Sequence, residues 1–296
     1  MIDVYLLSGF LGSGKTSLLS TLIEQFKAKG LKPAVIMNEL GKLAFDSRAV
    51  GEDIPLREML EGCICCTGSE KMEAQLQTLL AGEKFDVLLI ETTGAAHPVE
   101  AMDAVLSPVF VSKLHMKGII TVADCKRWLE KDGMNPQTRV LFLEQIRHAH
   151  LLLANKIDLL TDSEAANVTM QLQALNSNAP IIQTTNSRVP LSMVEKMEAT
   201  YREAEVKQSA IGKQLTLSSR LHIFNEPVVR EEFELWVKSL PDSIYRIKGY
   251  VPLKGFKNPF LFQYAYGMVQ WLPEYVKMEP QIVIIGDQVD KIEVLG

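Results

Sequence analysis

Apolar and polar positions follow two alternating periods along the first two thirds of the chain. Residues 3–8 (DVYLLS) are a short β-rich run that ends in glycines. From Thr16 to Lys29 the apolar residues Leu18, Leu19, Leu22, Ile23 and Phe26 then recur at the spacing of a helix with one buried face. Strands are predicted over residues 33–37, 86–90, 118–122, 150–153 and 181–183, and helices over 70–80, 138–149 and 163–175. Short apolar strands separated by helices imply an α/β domain, a mostly parallel sheet covered by helices on both faces. Residues 202–219 (REAEVKQSAIGKQLTLSS) are polar, lack aromatics and break the pattern. The expected organisation is an α/β domain over 1–202, a linker over 203–219 and a small α+β domain over 220–296. The last carries a predicted helix over 229–240 and strands over 221–224, 244–250, 261–266, 268–272 and 281–285.

The composition agrees with a folded chain: 47% hydrophobic and 23% charged residues exclude a disordered or collagen-like reading. With 31 basic against 36 acidic residues the net charge is −5, which argues against a broad basic face for nucleic acid or anionic lipid. A local basic pocket for phosphate is still compatible. No apolar run approaches the roughly 20 residues of a membrane span, and the N-terminus has Asp3 and no basic region, so neither a span nor a signal peptide is expected. The expected location is the cytoplasm.

The most specific motif is Gly9-Phe-Leu-Gly-Ser-Gly14-Lys15-Thr16, which satisfies G-x-x-x-x-G-K-[ST] between a predicted strand and a predicted helix. In such a P-loop the backbone N–H groups of Gly12, Ser13 and Gly14 curl around a polyphosphate at the positive end of a helix, with Ser17 adjoining. Lys15 is expected to neutralise the β/γ oxygens, and the Thr16 hydroxyl to ligate Mg²⁺. Downstream, Asn155-Lys156-Ile157-Asp158 follows a late strand. A carboxylate at Asp158 accepts from guanine N1–H and the N2 amino group, which adenine does not offer, so GTP is expected over ATP. Lys156 is expected over the base and Asn155 as a brace. The apolar strand ending Glu91-Thr-Thr-Gly94 supplies Glu91 as a Mg²⁺-side carboxylate and the Gly94 N–H as a γ-phosphate sensor. Asp124 is expected to cap a helix beginning at Cys125.

Three of the four cysteines fall at Cys63, Cys65 and Cys66, too close together to staple distant segments. Three thiolates in four residues suit Zn²⁺ or a similar cation with one position left open. Redox sensing and simple burial are the other readings. Glu39 and His97 are candidate fourth ligands, with His115 behind them; His222, in a predicted strand, reads as structural.

Taken together, GFLGSGKT, Asn38-Glu-Leu-Gly41, Gly62-Cys-Ile-Cys-Cys66, ETTG and NKID resemble the CobW-like GTPases, relatives of the urease and hydrogenase maturation GTPases UreG and HypB. The likeness extends to the C-terminal region, through Arg220–Leu240 and the segment from Ser243 to Tyr250. It implies a slow GTPase of the P-loop NTPase fold that holds zinc or a similar divalent metal at Cys63, Cys65 and Cys66. It also implies that nucleotide state governs metal transfer to a metalloprotein client, in some cases through a nucleotide-dependent homodimer. Two departures stand out. Met37 and Lys42 flank the N-E-x-G segment where some relatives carry acids, and no His-rich tract is present. Asp46, in the expected first switch, is the candidate for orienting the attacking water. The rival readings are a metal- or redox-sensing GTP-binding module that docks a partner, and an ATP-dependent enzyme, against which NKID argues.

Overall fold

The computed structural model describes residues 1–38, 56–59, 68–82, 84–202, 217–265 and 267–295. Glu39, Asp46, Cys63, Cys65 and Cys66 lie outside them. Among the described residues a seven-stranded sheet runs in the order β3-β2-β4-β1-β5-β6-β7. Its strands are β1 (Ile2–Ser8), β2 (Pro33–Asn38), β3 (Leu56–Met59), β4 (Val87–Glu91), β5 (Leu114–Asp124), β6 (Leu151–Asn155) and β7 (Ile181–Thr184), and every pairing is parallel. The strand β1 is central: the chain goes to one side for β2 to β4 and to the other for β5 to β7. The carboxyl end of β1 is thus the point at which strand order reverses, where open α/β sheets bind ligands.

The helices are α1 (Lys15–Ala28), α2 (Gly68–Gly82), α3 (Pro98–Val105), α4 (Cys125–Leu129), α5 (Pro136–Arg147), α6 (Asp162–Leu175) and α7 (Leu191–Glu195). One face of the sheet packs Tyr5 and Leu7 against Leu18, Leu22 and Phe26 of α1. The other buries Trp128, Phe142, Ile146 and Leu172 against Leu152 and Ala154. Each fully buried large apolar side chain contributes about 1.5–3 kcal/mol. Helix starts follow local chemistry. Asn135 accepts from Thr138 N at 2.8 Å ahead of Pro136, and Thr161 with Glu164 forms a capping box on α6.

The predicted strands and helices are present, and several elements are added. The strand β5 begins at Leu114 rather than 118, because the polar His115 and Lys117 break the apolar run without ending the strand. In α3, eight residues long, Pro98, Val99, Ala101, Met102, Ala104 and Val105 are buried and Glu100 alone is exposed, so the run is too short for its sequence to mark a helical period.

A second compact unit comprises Ala199–Gly296 together with Leu106–Lys113. Its six-stranded sheet has the order β12-β11-β10-β13-β9-β8. The strands are β8 (Thr200–Arg202), β9 (Ser218–Ile223), β10 (Ile244–Val251), β11 (Phe260–Ala265), β12 (Met268–Pro273) and β13 (Gln281–Gly286). All pairs are antiparallel except β8–β9. Ser218 and Ser219, read from sequence as linker, belong to β9, and β8 precedes the polar stretch. One helix, α8 (Arg230–Ser239), sets Phe233 against Phe262 with ring centroids 5.0 Å apart, edge to face. No helix of the described residues is long and apolar enough to cross a membrane.

Candidate functional site

The loop from Gly9 to Gly14 joins the buried end of β1 to α1. Gly14 caps α1 at φ 113°, and a Cβ there would stand 2.5 Å from both Asn155 Nδ2 and Ser187 Oγ; only glycine fits both the torsion and the space. Asn155, at the end of β6, donates from Nδ2 to the Ser13 carbonyl at 2.7 Å and accepts from Ser187 N at 2.9 Å. Ser187 donates to the Gly14 carbonyl at 2.9 Å. Asn155 and Ser187 thereby hold the loop from behind.

Lys15 opens α1 and is buried, with Nζ donating to the carbonyls of Gly9 at 2.9 Å and Phe10 at 3.2 Å. Burial lowers its pKa, partly opposed by Glu91. Thr16 donates to Glu91 Oε1 at 3.0 Å. Burial raises the Glu91 pKa, against the Thr16 bond and the Lys15 charge. Its second oxygen, Oε2, is buried and has no hydrogen-bond partner among the described residues, and neither has Ser13 Oγ. A bare carboxylate oxygen beside a hydroxyl, next to a buried ammonium that turns to its own loop for acceptors, fits a site for Mg²⁺ and phosphate oxygens. Ser17 is exposed next to them and Gly12 stands at φ 75°.

Gly94 meets the same loop: a Cβ there would lie 2.5 Å from Leu11 N and 2.9 Å from Leu11 Cα. Its carbonyl, with that of Ala96, accepts from Nε2 of Gln145, a fully buried residue of α5, at 3.1 and 3.3 Å. Arg127 completes the surround, donating to Leu11 O at 3.3 Å with its guanidinium 4.0 Å from the Phe10 ring centroid. Gln145, Ser187 and Arg127 escape a reading by motif. The one local signal is the consecutive positive φ of Asn186 and Ser187, which sequence does not display.

Lys156 adopts φ 62°, and its Nζ pairs with Asp124 Oδ2 at 2.6 Å. The other Asp124 oxygen accepts from Arg127 N at 3.1 Å, the capping role expected of it. Asp158 is exposed in the 3-10 turn Ile157–Leu159. A cavity of about 660 Å³ adjoins this turn, with Phe10, Asp124, Arg127 and Lys156 in its wall.

Of the candidate metal ligands, His97 stands beside Glu144 of α5 and His148, the residue that caps the end of that helix. Burial lowers its pKa, and the nearby His148 lowers it further. His115 pairs with Asp3 at the opposite end of β1 from the phosphate loop. It bridges Asp3 and Glu198 at 3.0 and 2.6 Å. His222 is buried against Phe224, as a structural residue would be.

Residues 3–183 match the family model described as CobW/HypB/UreG, nucleotide-binding domain, and residues 217–295 that of the cobalamin synthesis protein cobW C-terminal domain. The chain is 30% identical over 279 residues to the zinc chaperone YjiA of Escherichia coli K12, covering 88% of this chain and 85% of that protein. It is 29% identical over 228 residues to the zinc-regulated GTPase metalloprotein activator 1 of Dictyostelium discoideum, covering 65% and 48%. The Schizosaccharomyces pombe protein of the same name is 34% identical over 197 residues, covering 64% and 47%. The chain thus spans about half the length of these two relatives. A crystal structure of Zn(II)-bound YjiA GTPase from E. coli shares the fold at a TM-score of 0.52 and 24% identity, covering 97% and 94% of the two chains. With one family model running from β1 to β7 and a second through the C-terminal sheet, the chain belongs to the CobW/HypB/UreG family.

Proposed function

We propose that this protein is a GTP-hydrolysing metallochaperone that holds zinc through Cys63, Cys65 and Cys66 and releases it to a client metalloprotein according to nucleotide state. The observation that carries the reading is the Thr16–Glu91 pair: Glu91 Oε1, at the end of β4, accepts from Thr16 at the start of α1, and leaves Oε2 buried and bare beside the phosphate loop. Names borne by relatives, zinc chaperone and zinc-regulated GTPase metalloprotein activator, support the metal and the role.

Gly12, Ser13, Gly14 and Ser17 would bind the phosphates. Lys15 would leave its two loop carbonyls for the β/γ oxygens, and Thr16 and Glu91 would hold Mg²⁺. Bound there, Mg²⁺ supplies positive charge opposite the developing negative charge of the leaving phosphate. Gly94 would donate its N–H to the γ-phosphate, Asp46 would orient water, and Asp158 with Lys156 would read guanine. Glu39 is the proposed fourth zinc ligand. A homodimer formed with GTP, and a place in the cytoplasm, complete the proposal.

The test is transfer. Zinc-loaded protein mixed with an apo-acceptor should deliver metal faster with GTP than with GDP and faster than a zinc–chelator control. Equal rates with both nucleotides would favour a sensor that docks a partner. Competition for the site should favour GTP over ATP, and Asp158→Ala should weaken GTP by about tenfold or more while sparing ATP.

A further inference from the structure

Among the described residues one cluster of ligating side chains stands apart from the phosphate loop. A ligand atom from each of His97, Glu144 and His148 lies within 4.8 Å of the other two. His97 belongs to the loop that runs from Glu91 to α3. Glu144, on α5, and His148, which caps the end of that helix, stand at i and i+4 on one face. Glu144 Oε2 lies 3.0 Å from His148 Nε2, while its Oε1 accepts from Arg147 at 2.7 Å. The His97 and His148 rings stand 5.9 Å apart, tilted by 55°.

We infer that His97, Glu144 and His148 form a zinc site, distinct from the cysteine cluster, that ties the loop following Glu91 to α5. Two imidazoles and one carboxylate are a three-ligand set that zinc takes when its fourth position is left to water or another donor. Tetrahedral bonds of 2.0–2.1 Å set ligand atoms about 3.3 Å apart. Glu144 and His148, at 3.0 Å, stand within a few tenths of an ångström of that spacing, and closure falls to His97, a half-buried residue on a loop. The Arg147 contact fixes the carboxylate with Oε2 toward the site, as outer partners of metal ligands do.

A plainer account makes Glu144–His148 an ordinary helix pair and His97 a cap, since Val99 N donates to His97 Nδ1 at 3.3 Å. That bond is long, and ligation through either nitrogen ends it. Through Nδ1 the lone pair is used, and through Nε2 the ring proton moves to Nδ1. Metal would therefore uncap α3 while fastening the end of the loop to α5. The same loop carries Gly94, packed on Leu11 of the phosphate loop and held by Gln145 next to Glu144. Zinc at this site would be linked to the nucleotide without the cysteines, and the linkage would act in both directions. This goes beyond the proposed function and does not depend on zinc at the cysteines.

The test uses the full chain with Cys63, Cys65 and Cys66 all changed to serine, titrated with Co²⁺ as a spectroscopic probe and then with Zn²⁺ against a chelator. The inference predicts one remaining site per chain with d–d absorption but no thiolate-to-cobalt charge transfer. His97→Asn and His148→Gln should each weaken it by more than the roughly 10–100-fold that losing a mere hydrogen-bond partner of a ligand costs, with thermal unfolding checked alongside. His97→Asn, on the loop, is the variant that decides if His148→Gln fails to fold. A triple-serine protein that binds no metal, or binds it equally well after His97→Asn, would overturn the site. The cysteine reading is tested separately by the charge-transfer band of the unsubstituted protein.

Discussion

At the residue scale the phosphate loop concentrates opposed tendencies. Lys15 and Glu91 are both buried, and burial works against the charge of each. Neither is there for stability alone. Glu91→Gln should keep the bond from Thr16 while removing a charge, so thermal stability should hold or rise as Mg²⁺-dependent GTP turnover falls by roughly 10–100-fold. Parallel melting and turnover assays check this, and a joint fall in both would make Glu91 a structural residue. Gly94→Ala places a methyl 2.5 Å from the Leu11 backbone nitrogen, where no flexible side chain can yield. Overpacking of this kind costs about 1–3 kcal/mol. The cost should appear as weaker GTP binding in calorimetry, because the atom displaced belongs to the phosphate loop. Asn155→Ala leaves the Ser13 carbonyl and the Ser187 N–H without their partner. About 1–3 kcal/mol should be lost from chemical unfolding even without nucleotide.

At the element scale, strands and helices with a clean apolar period are readable from sequence, and those whose signal is set by neighbours are not. The helix α1 displays its buried face at Leu18, Leu22 and Phe26 over fourteen residues; α3 has only eight, with Glu100 alone exposed, too short a run to display a period. The phosphate loop and NKID are legible because each does its work within a few consecutive residues. Gln145 and Ser187 are not, because their partners lie 51 and 173 positions away. The start of β5 shows the same dependence, with His115 tying β5 to Asp3 of β1 and to Glu198. The bond to Glu198 raises the His115 pKa above its ordinary 6.5, against burial and with help from Asp3. A raised folded value means the contribution is complete below the ordinary pKa and is lost as pH rises through the folded one. Melting temperature should therefore decline over that window in the parent relative to His115→Gln, and less so at high salt. Identical pH profiles would remove the pair from the stability account.

At the scale of the whole molecule, two compact units each carry their own core. All the described residues of the nucleotide site fall in the first. The loop after Glu91 touches the phosphate loop through Gly94, α5 through Gln145 and the His97–Glu144–His148 cluster at its end. A segment with contacts in both directions is what linkage between nucleotide and metal requires. The measurement that tests this most directly is a Zn²⁺ titration against a chromophoric chelator, with protein loaded with GDP and with a non-hydrolysable GTP analogue. The account predicts that zinc affinity differs by about fivefold or more between the two states, and that replacing Cys63, Cys65 and Cys66 by serine removes the tighter binding. Equal zinc affinity in both nucleotide states would contradict it.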